Sequence, residues 1–348
     1  MPYTRKNEKI VFAVETSCDE TAAAVLKCAG TDIEILSNVI FSQIPIHQKF
    51  GGVVPELASR SHTEAIDKVA DEAMTAAGIE CGDIDIVAAT YGAGLNGALL
   101  AGLSYAKGLA YSLSVPFIGV NHIRGHIAAN YIGTDLKPPF LALAASGGHS
   151  SIVHVRGYND LAVLGSTLDD AAGEAFDKIS RVLGLGYPGG PAIEKAAQGG
   201  DDGINFYKRP PKSLGYDFSY SGLKTAVINY INKLNGLTEK QIADIAASFQ
   251  RAALDMLLRN VEQALAEHGL NTLALAGGVA ANGLLRERLQ KLSAAKGVKL
   301  YIPPMPLCGD NAAMIGAAAW LKYYERKDAA FSPLSLNTNP SLKINEDI

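Results

Sequence analysis

The sequence predicts an α/β protein made of two similar halves, and three observations lead there. An apolar run, a polar turn and a second apolar run open the chain at residues 10–14 and 22–26, and the same pattern returns at 140–145 and 151–155. Glycine-rich segments follow apolar runs at 92–97 and 277–283, the position at which open α/β sheets bind ligands. Between the halves, Pro138-Pro139 cannot continue a helix and marks a boundary.

The bulk composition bounds the function. At 348 residues, 48% apolar and 19% charged, the chain supports two cores and carries no sign of wholesale disorder. A net charge of -4 excludes a uniformly basic nucleic-acid binder, while leaving room for a local basic patch or a partner that supplies one. Cys18, Cys28, Cys81 and Cys308 form no C-x-x-C pair, which argues against a disulfide framework or a zinc ribbon and suits a reducing compartment. The first residues lack the apolar core of a signal peptide, and no apolar run approaches about 18 residues. A soluble cytoplasmic protein without membrane contact is expected.

Taken in order, the first strand ends in Glu15-Thr16-Ser17-Cys18-Asp19-Glu20-Thr21. A turn that acidic repels phosphate, yet it can orient a cation or a polar ligand; a solvated hairpin tip is the plain alternative. A third strand is expected at 33–40. Residues 56–77 carry apolar side chains at helical spacing and stop at Gly78. After a strand at 84–90, Gly92-Ala93-Gly94-Leu95-Asn96-Gly97 can present amides to an anion, although the Walker lysine is missing. A small-residue helix then runs to about Leu113.

A strand ending at Val120 leads into Asn121-His122-Ile123-Arg124-Gly125-His126. If the chain turns helical there, His122 and His126 share one face at a strand's carboxyl end. Neutral imidazole is the commonest ligand for a divalent transition metal. Two histidines that merely pack are the alternative. The zinc-protease signature needs Glu after the first histidine, and Ile123 stands there.

In the second half, Ser146-Gly147-Gly148-His149-Ser150 is a tight turn whose amides can cradle phosphate or carboxylate, or simply close a hairpin. Asp169, Asp170, Glu174 and Asp177 crowd the start of a helix and suit its dipole; the sharper reading turns Asp177 toward ribose hydroxyls. Tyr187-Pro188-Gly189-Gly190-Pro191 makes a rigid surface for a flat ring or sugar. Lys208, Arg209 and Lys212 beside Tyr207, Tyr216, Phe218 and Tyr220 form either a nucleic-acid contact or a solvated loop. Thr238 to Gln241 is a capping box before a long helix that stops at Gly269. After a strand at 272–276, the glycines at 277–278 and Asn282 at a helix start make a nucleotide-cleft candidate. Asp310, on a glycine turn at another strand's end, is a third metal ligand or a helix cap. From about Glu325 a polar, loosely packed tail is expected.

These segments together, in this order and over nearly the whole chain, resemble the TsaD/Gcp family of tRNA threonylcarbamoyladenosine proteins. That family is related to the Kae/OSGEP proteins and was long labelled O-sialoglycoprotein endopeptidase; the compact form here is similar to the bacterial members. The resemblance implies two RNase H-like domains of the actin, sugar-kinase and chaperone ATPase superfamily (ASKHA) with an interdomain nucleotide cleft. It implies an N-terminal domain at 1–137, joined by a C-terminal helix at about 311–348, and a C-terminal domain at 138–310. It implies a divalent metal, Fe(2+) before Zn(2+), on His122, His126 and Asp310. It implies an ATP/AMP-type nucleotide or threonylcarbamoyl-AMP against Ala144, Ala145, Ser146, Gly147, Gly148, Asp177, Gly190, Glu194 and Asn282; the family often has Asp near Glu194.

The implied reaction moves threonylcarbamoyl from threonylcarbamoyl-AMP, made by a separate adenylate-forming enzyme, to the N6 amine of adenosine 37 beside the tRNA anticodon. Implied partners are tRNA, a TsaB-like paralogue and a TsaE-like P-loop ATPase. Glu15, Asp19 and His149 are candidates for a catalytic role, with no general base assigned. Close packing with the paralogue is expected on the small-residue helix, at Ala101 or Gly102. A metalloprotease, a phosphotransferase on the same fold and a nucleotide-switched scaffold are the alternatives.

Overall fold

A computed structural model describes residues 8–206 and 215–346. Its two five-stranded sheets share one topology. In the first, β1 (Lys9–Glu15), β2 (Glu20–Ala29) and β3 (Asp32–Ser42) form an antiparallel meander. The chain continues through α1 (Ile44–His47), α2 (Pro55–Ala77), β4 (Ile86–Gly92), α3 (Asn96–Leu113) and β5 (Phe117–Asn121), giving the order β3-β2-β1-β4-β5 with β4 and β5 parallel to β1. After α4 (His122–Ala128), β6 (Phe140–Ala145), β7 (Ser150–Val155) and β8 (Leu161–Ser166) repeat the meander. Then come α5 (Ala172–Val182), α6 (Gly189–Ala196), α7 (Ser221–Ile231), α8 (Glu239–His268), β9 (Thr272–Ala276), α9 (Gly283–Lys296), β10 (Lys299–Tyr301) and α10 (Ala312–Arg326), with sheet order β10-β9-β6-β7-β8. This is the duplicated architecture that the repeated strand–turn–strand pattern predicts.

Why the strands read as unbroken apolar runs follows from what covers them. In β1, Val11 and Ala13 belong to one buried cluster and Ile10, Phe12 and Val14 to another, so both faces are packed. The second cluster lies under α2 and α3. The first is shared: it joins β1 and β2 to α4, α10 and the strands β6 and β9 of the other sheet. Its helices are small-sided because space is short. A Cβ on Gly316 of α10 would lie 2.3 Å from Leu26 Cδ1, and one on Gly125 of α4 would lie 2.7 Å from Ile315 Cδ1. Both helices therefore sit between the sheets and against each other.

Three expectations change. The polar tail packs tightly: Leu342 and Ile344 are buried, Asn339 N donates to Tyr91 O at 2.7 Å, and Gly94 N donates to Pro340 O at 3.1 Å. Its polar side chains point outward while its backbone follows the ends of β4 and β5. Nor is it helical beyond Arg326; a short 3-10 turn follows at Lys327–Ala330. Phe218 and Tyr220 are core residues, 1% and 0% exposed, so they offer no stacking surface. Tyr207, Lys208, Arg209 and Lys212 lie outside the described residues. Finally, Gly102 faces inward, where a Cβ would lie 2.3 Å from Thr16 Oγ1, so it is no contact point for a partner.

Candidate metal centre and nucleotide cleft

Asn121 starts the metal helix. Its Oδ1 accepts from Ile123 N (2.9 Å) and Arg124 N (3.3 Å), so α4 begins at His122, straight off β5. His122 and His126 then stack edge to face with ring centroids 4.6 Å apart. Asp310 precedes α10, and the cap of that helix is Asn311, whose Oδ1 accepts from Met314 N at 3.0 Å. Asp310 is thereby free of capping. One ligand atom from each of His122, His126 and Asp310 lies within 4.8 Å of the others.

The donor set fits a divalent cation. His126 Nε2 is 3.1 Å and His122 Nε2 3.6 Å from Asp310 Oδ1, yet buried His126 makes no aligned hydrogen bond at either ring nitrogen. Two imidazoles and a carboxylate converge on one point without satisfying each other, which an ion does for nitrogen and oxygen ligands. Behind His122, Nδ1 lies 3.1 Å from Glu15 Oε2 and 3.1 Å from Ser17 Oγ. Glu15 is itself held: Oε2 accepts from Thr90 Oγ1 at 2.6 Å, and Oε1 from Ser17 N. Burial opposes charge on His122, but Asp310 and Glu15 outweigh it and raise the imidazole to about 9. Burial also disfavours the Asp310 carboxylate, and the neighbouring His122 and His126 reverse that and lower it. The half-buried His149 is pushed down to about 4, by burial first and then by His122 and His126.

Asp19 and Glu20 line the approach from the first half. Burial, then the charges of Asp19 and Asp310, push Glu20 up to about 10, so it stays a neutral acid beside them. Tyr187 OH donates to Asp19 Oδ2 at 3.2 Å across the gap between the halves. Tyr187 also walls a cleft on the other side, with Phe176, Pro188, Pro191 and Val279 as its apolar surface. Gly147, Asp177, Gly190, Glu194 and Asn282 line the same cleft. Gly173 lets α5 start against the 146–147 turn, since a Cβ there would lie 2.7 Å from Ser146 O.

The other residues named from the sequence stand apart from that wall. Ala144 and Ala145 are buried inside β6, and Ser146 is buried at its end. Gly148 lies on the turn without lining the cleft. Each polar side chain of the wall also has a structural tie. Asp177 Oδ1 accepts from Gly189 N (2.6 Å), Glu194 Oε1 from Gly283 N (2.8 Å), and Asn282 Oδ1 from Leu285 N (2.9 Å). Asn282 Nδ2 donates to Gln250 Oε1 at 2.9 Å. Asp177 is raised above the ordinary carboxylate range, chiefly by burial, with the Gly189 amide opposing and Asp19 adding to it. Asp169 and Asp170 point elsewhere, to the start of α7 and to Lys178 and Lys224.

Sequence reasoning missed Thr90, Ser17, Gln250 and the bridging role of Tyr187. A lone hydroxyl or amide facing a partner dozens of residues away leaves no local pattern. The carboxyl pair Asp19-Glu20 was legible as an acidic turn, but the upward push on the Glu20 carboxyl was not.

The comparisons with known proteins identify the family. The family model described as TsaD, tRNA N6-adenosine threonylcarbamoyltransferase, matches residues 34–317. A protein of that name from Clostridium beijerinckii (strain ATCC 51743 / NCIMB 8052) is 53% identical, over 98% of this chain and 99% of the relative. One from Clostridioides difficile (strain 630) is 51% identical, over 97% and 99%. Among solved structures, HypF from T.kodakarensis aligns with a TM-score of 0.63 at 16% identity, covering 93% of this chain and 49% of HypF. That likeness is one of fold, and the chain spans about half the length of HypF. By its family model and its relatives over nearly the full length, the chain belongs to the TsaD family of tRNA N6-adenosine threonylcarbamoyltransferases.

Proposed function

We propose that the chain transfers the threonylcarbamoyl group of threonylcarbamoyl-AMP to the N6 amine of adenosine 37 in tRNA, in the cytoplasm. Family membership makes it a tRNA-modifying acyltransferase; the donor, the ion and the residue roles are this proposal's own. One observation carries it: the buried imidazoles of His122 and His126, the latter without an aligned hydrogen bond, converge with Asp310 next to a cleft walled by Tyr187, Asp177 and Asn282.

The adenine amine is a poor nucleophile because its lone pair is delocalised into the ring, so the donor must be activated and positioned. A divalent cation on His122, His126 and Asp310, Fe(2+) before Zn(2+), supplies Lewis acidity towards donor oxygens when bound. The chain's own residues do the rest. Gly147 and Gly190 admit the AMP part close to main chain, and Asp177 accepts from its ribose. Phe176, Val279 and the prolines hold the base and exclude water. In the transfer the N6–carbonyl bond forms, the carbonyl–phosphate oxygen bond breaks with AMP as leaving group, and N6 loses one proton. Asp19 and the neutral His149 are the acceptors nearest that step. Glu15 is committed to His122, Thr90 and Ser17, and acts as a positioning residue.

At net charge -4 the chain acts with partners, a TsaB-like paralogue and a TsaE-like P-loop ATPase, to hold tRNA. The test is nucleoside HPLC of tRNA incubated with threonine, bicarbonate, ATP, the adenylate-forming enzyme and this protein with its partners. Threonylcarbamoyladenosine should appear only when this chain is present and should be lost with Asp310→Ala. Robust peptide cleavage, or transfer of labelled ATP γ-phosphate to a small alcohol, would replace the reading.

A further inference from the structure

The loop after the first meander reaches across to the second half and ends at the mouth of the cleft. Gln48 Nε2 donates to Tyr187 O at 2.9 Å, and Arg181 on α5 donates to Gly51 O. Gly51 adopts φ 68°, and a Cβ on Gly52 would lie 3.0 Å from Arg181 Nη2, so the turn sits directly on that guanidinium. Phe50, at the end of this turn, is 58% exposed, and Lys49 beside it is exposed as well. Among the described residues neither Lys49 nor Arg181 forms an ion pair, although the Arg181 guanidinium, which donates to Gly51 O, is near enough to Asp177 to oppose the rise of its carboxyl.

This outer edge differs in charge from what lies below it. Asp19, Glu20, Asp177 and Asp310 lie on the interior side, where the Tyr187 hydroxyl donates to Asp19 and the Gly189 amide to Asp177. Carboxyl groups there disfavour a run of backbone phosphates, while a neutral base can enter. Two exposed cations, one of them anchored to the Gly51 carbonyl, and an open aromatic face stand at the entrance. Single-stranded nucleic acid needs that arrangement: cations for the backbone, a ring for stacking, and a pocket for one extruded base.

We propose that Lys49, Phe50 and Arg181 receive the single-stranded RNA loop that carries the acceptor adenosine. A nucleobase next to the acceptor stacks on Phe50, the flanking phosphates rest on Lys49 and Arg181, and the acceptor base alone enters the acidic interior. This rests on the tRNA reading above.

The test titrates a labelled anticodon stem-loop into the full chain assembled with its partners, over a series of KCl concentrations. Phe50→Ala should weaken binding about tenfold and Phe50→Trp should restore it. Lys49→Ala and Arg181→Gln should each weaken binding and lower the log–log salt slope by about 1. Metal affinity measured by chelator competition should stay unchanged in every variant, which reports an intact fold. Wild-type affinity and slope in Phe50→Ala and Lys49→Ala would overturn the inference. So would a Phe50→Ala chain that loses its protein partners while binding RNA normally once assembled. If the wild-type assembly itself ignores the stem-loop, the tRNA reading fails, not merely the entrance.

Discussion

Glu15 Oε2 and His122 Nδ1 lie 3.1 Å apart at the end of β1, with the carboxylate fully buried and pinned by Thr90 and Ser17. The contact fixes the imidazole so that Nε2 is the nitrogen turned towards Asp310. A carboxylate behind a ligating histidine sets its tautomer and raises its basicity, and losing such a partner costs metal affinity roughly 10–100-fold. Glu15→Gln should weaken Fe(2+) or Zn(2+) binding by about tenfold and Glu15→Ala by more, read by competition with a chromophoric chelator. Affinity equal to wild type in both would remove Glu15 from the metal site.

Gly102 and Tyr111 separate two roles that the helix α3 combines. Any side chain at Gly102 runs into Thr16, whose hydroxyl donates to Ala98 O at 2.8 Å and accepts from Gly102 N. Gly102→Val should therefore cost about 1–3 kcal/mol of stability by overpacking, seen as a lower denaturation midpoint of the isolated chain. Tyr111 and Leu100 are 76% and 48% exposed on the same helix. Tyr111→Ser with Leu100→Ser should leave the midpoint within about 0.5 kcal/mol and weaken co-elution with the paralogue. Unchanged co-elution would move that interface off α3.

Asp170 supplies a pH-dependent part of the stability. Burial would raise its carboxyl, but the Lys178 and Lys224 ammonium groups, each 2.6 Å away, prevail and lower it. A carboxylate with a depressed folded-state pKa stabilises above its unfolded value and loses that contribution as pH falls through the folded one. Asp170→Asn should thus lower the denaturation midpoint by about 1–2 kcal/mol near neutrality. The gap between the two proteins should begin to close below about pH 4 and vanish in stronger acid. A gap independent of pH down to that range would show that packing, not charge, links α5 to α7.

What was legible in the sequence is what repeats or recurs locally. The meander and its copy, the Thr238–Gln241 capping box and the i, i+4 histidines all leave signals within one element, and each element formed. Asp310 read locally as either a third metal ligand or a helix cap, and only the family resemblance tied it to His122, because 188 residues separate two positions joined by the close approach of α4 and α10. That approach depends on Gly125, against Ile315 and Met314, while Gly316 lets α10 lie on β1 and β2; in sequence both read as mere helix weakness. The aromatic stretch at 216–220 misled for a related reason: composition cannot say which way a ring points, and Phe218 and Tyr220 point inward. The tail misled because its anchoring is made by main chain.

That tail gives the most direct test of how the metal helix is held. Lys343 O accepts from Asn121 Nδ2 at 3.1 Å and Ile344 O accepts from Arg124 Nε at 2.8 Å, so the last strand of chain grips the cap and first turn of α4. Ile344 is buried in the cluster that holds Ile123 and Ile127 of α4, and Leu342 in the cluster under α2 and α3. Removing the segment leaves Asn121 and Arg124 without these acceptors and opens two apolar sites, a loss of roughly 3–5 kcal/mol. A chain ending at residue 337 should therefore unfold at lower denaturant. It should also bind metal more weakly than the full chain at the same temperature, because His122 and His126 ride on the loosened helix. The double change Leu342→Ala with Ile344→Ala keeps both carbonyl acceptors, and should lower stability while sparing metal affinity within about twofold. Equal loss of metal from the truncated chain and the double variant would mean that α4 is positioned by global stability alone, and not by the tail's carbonyl groups.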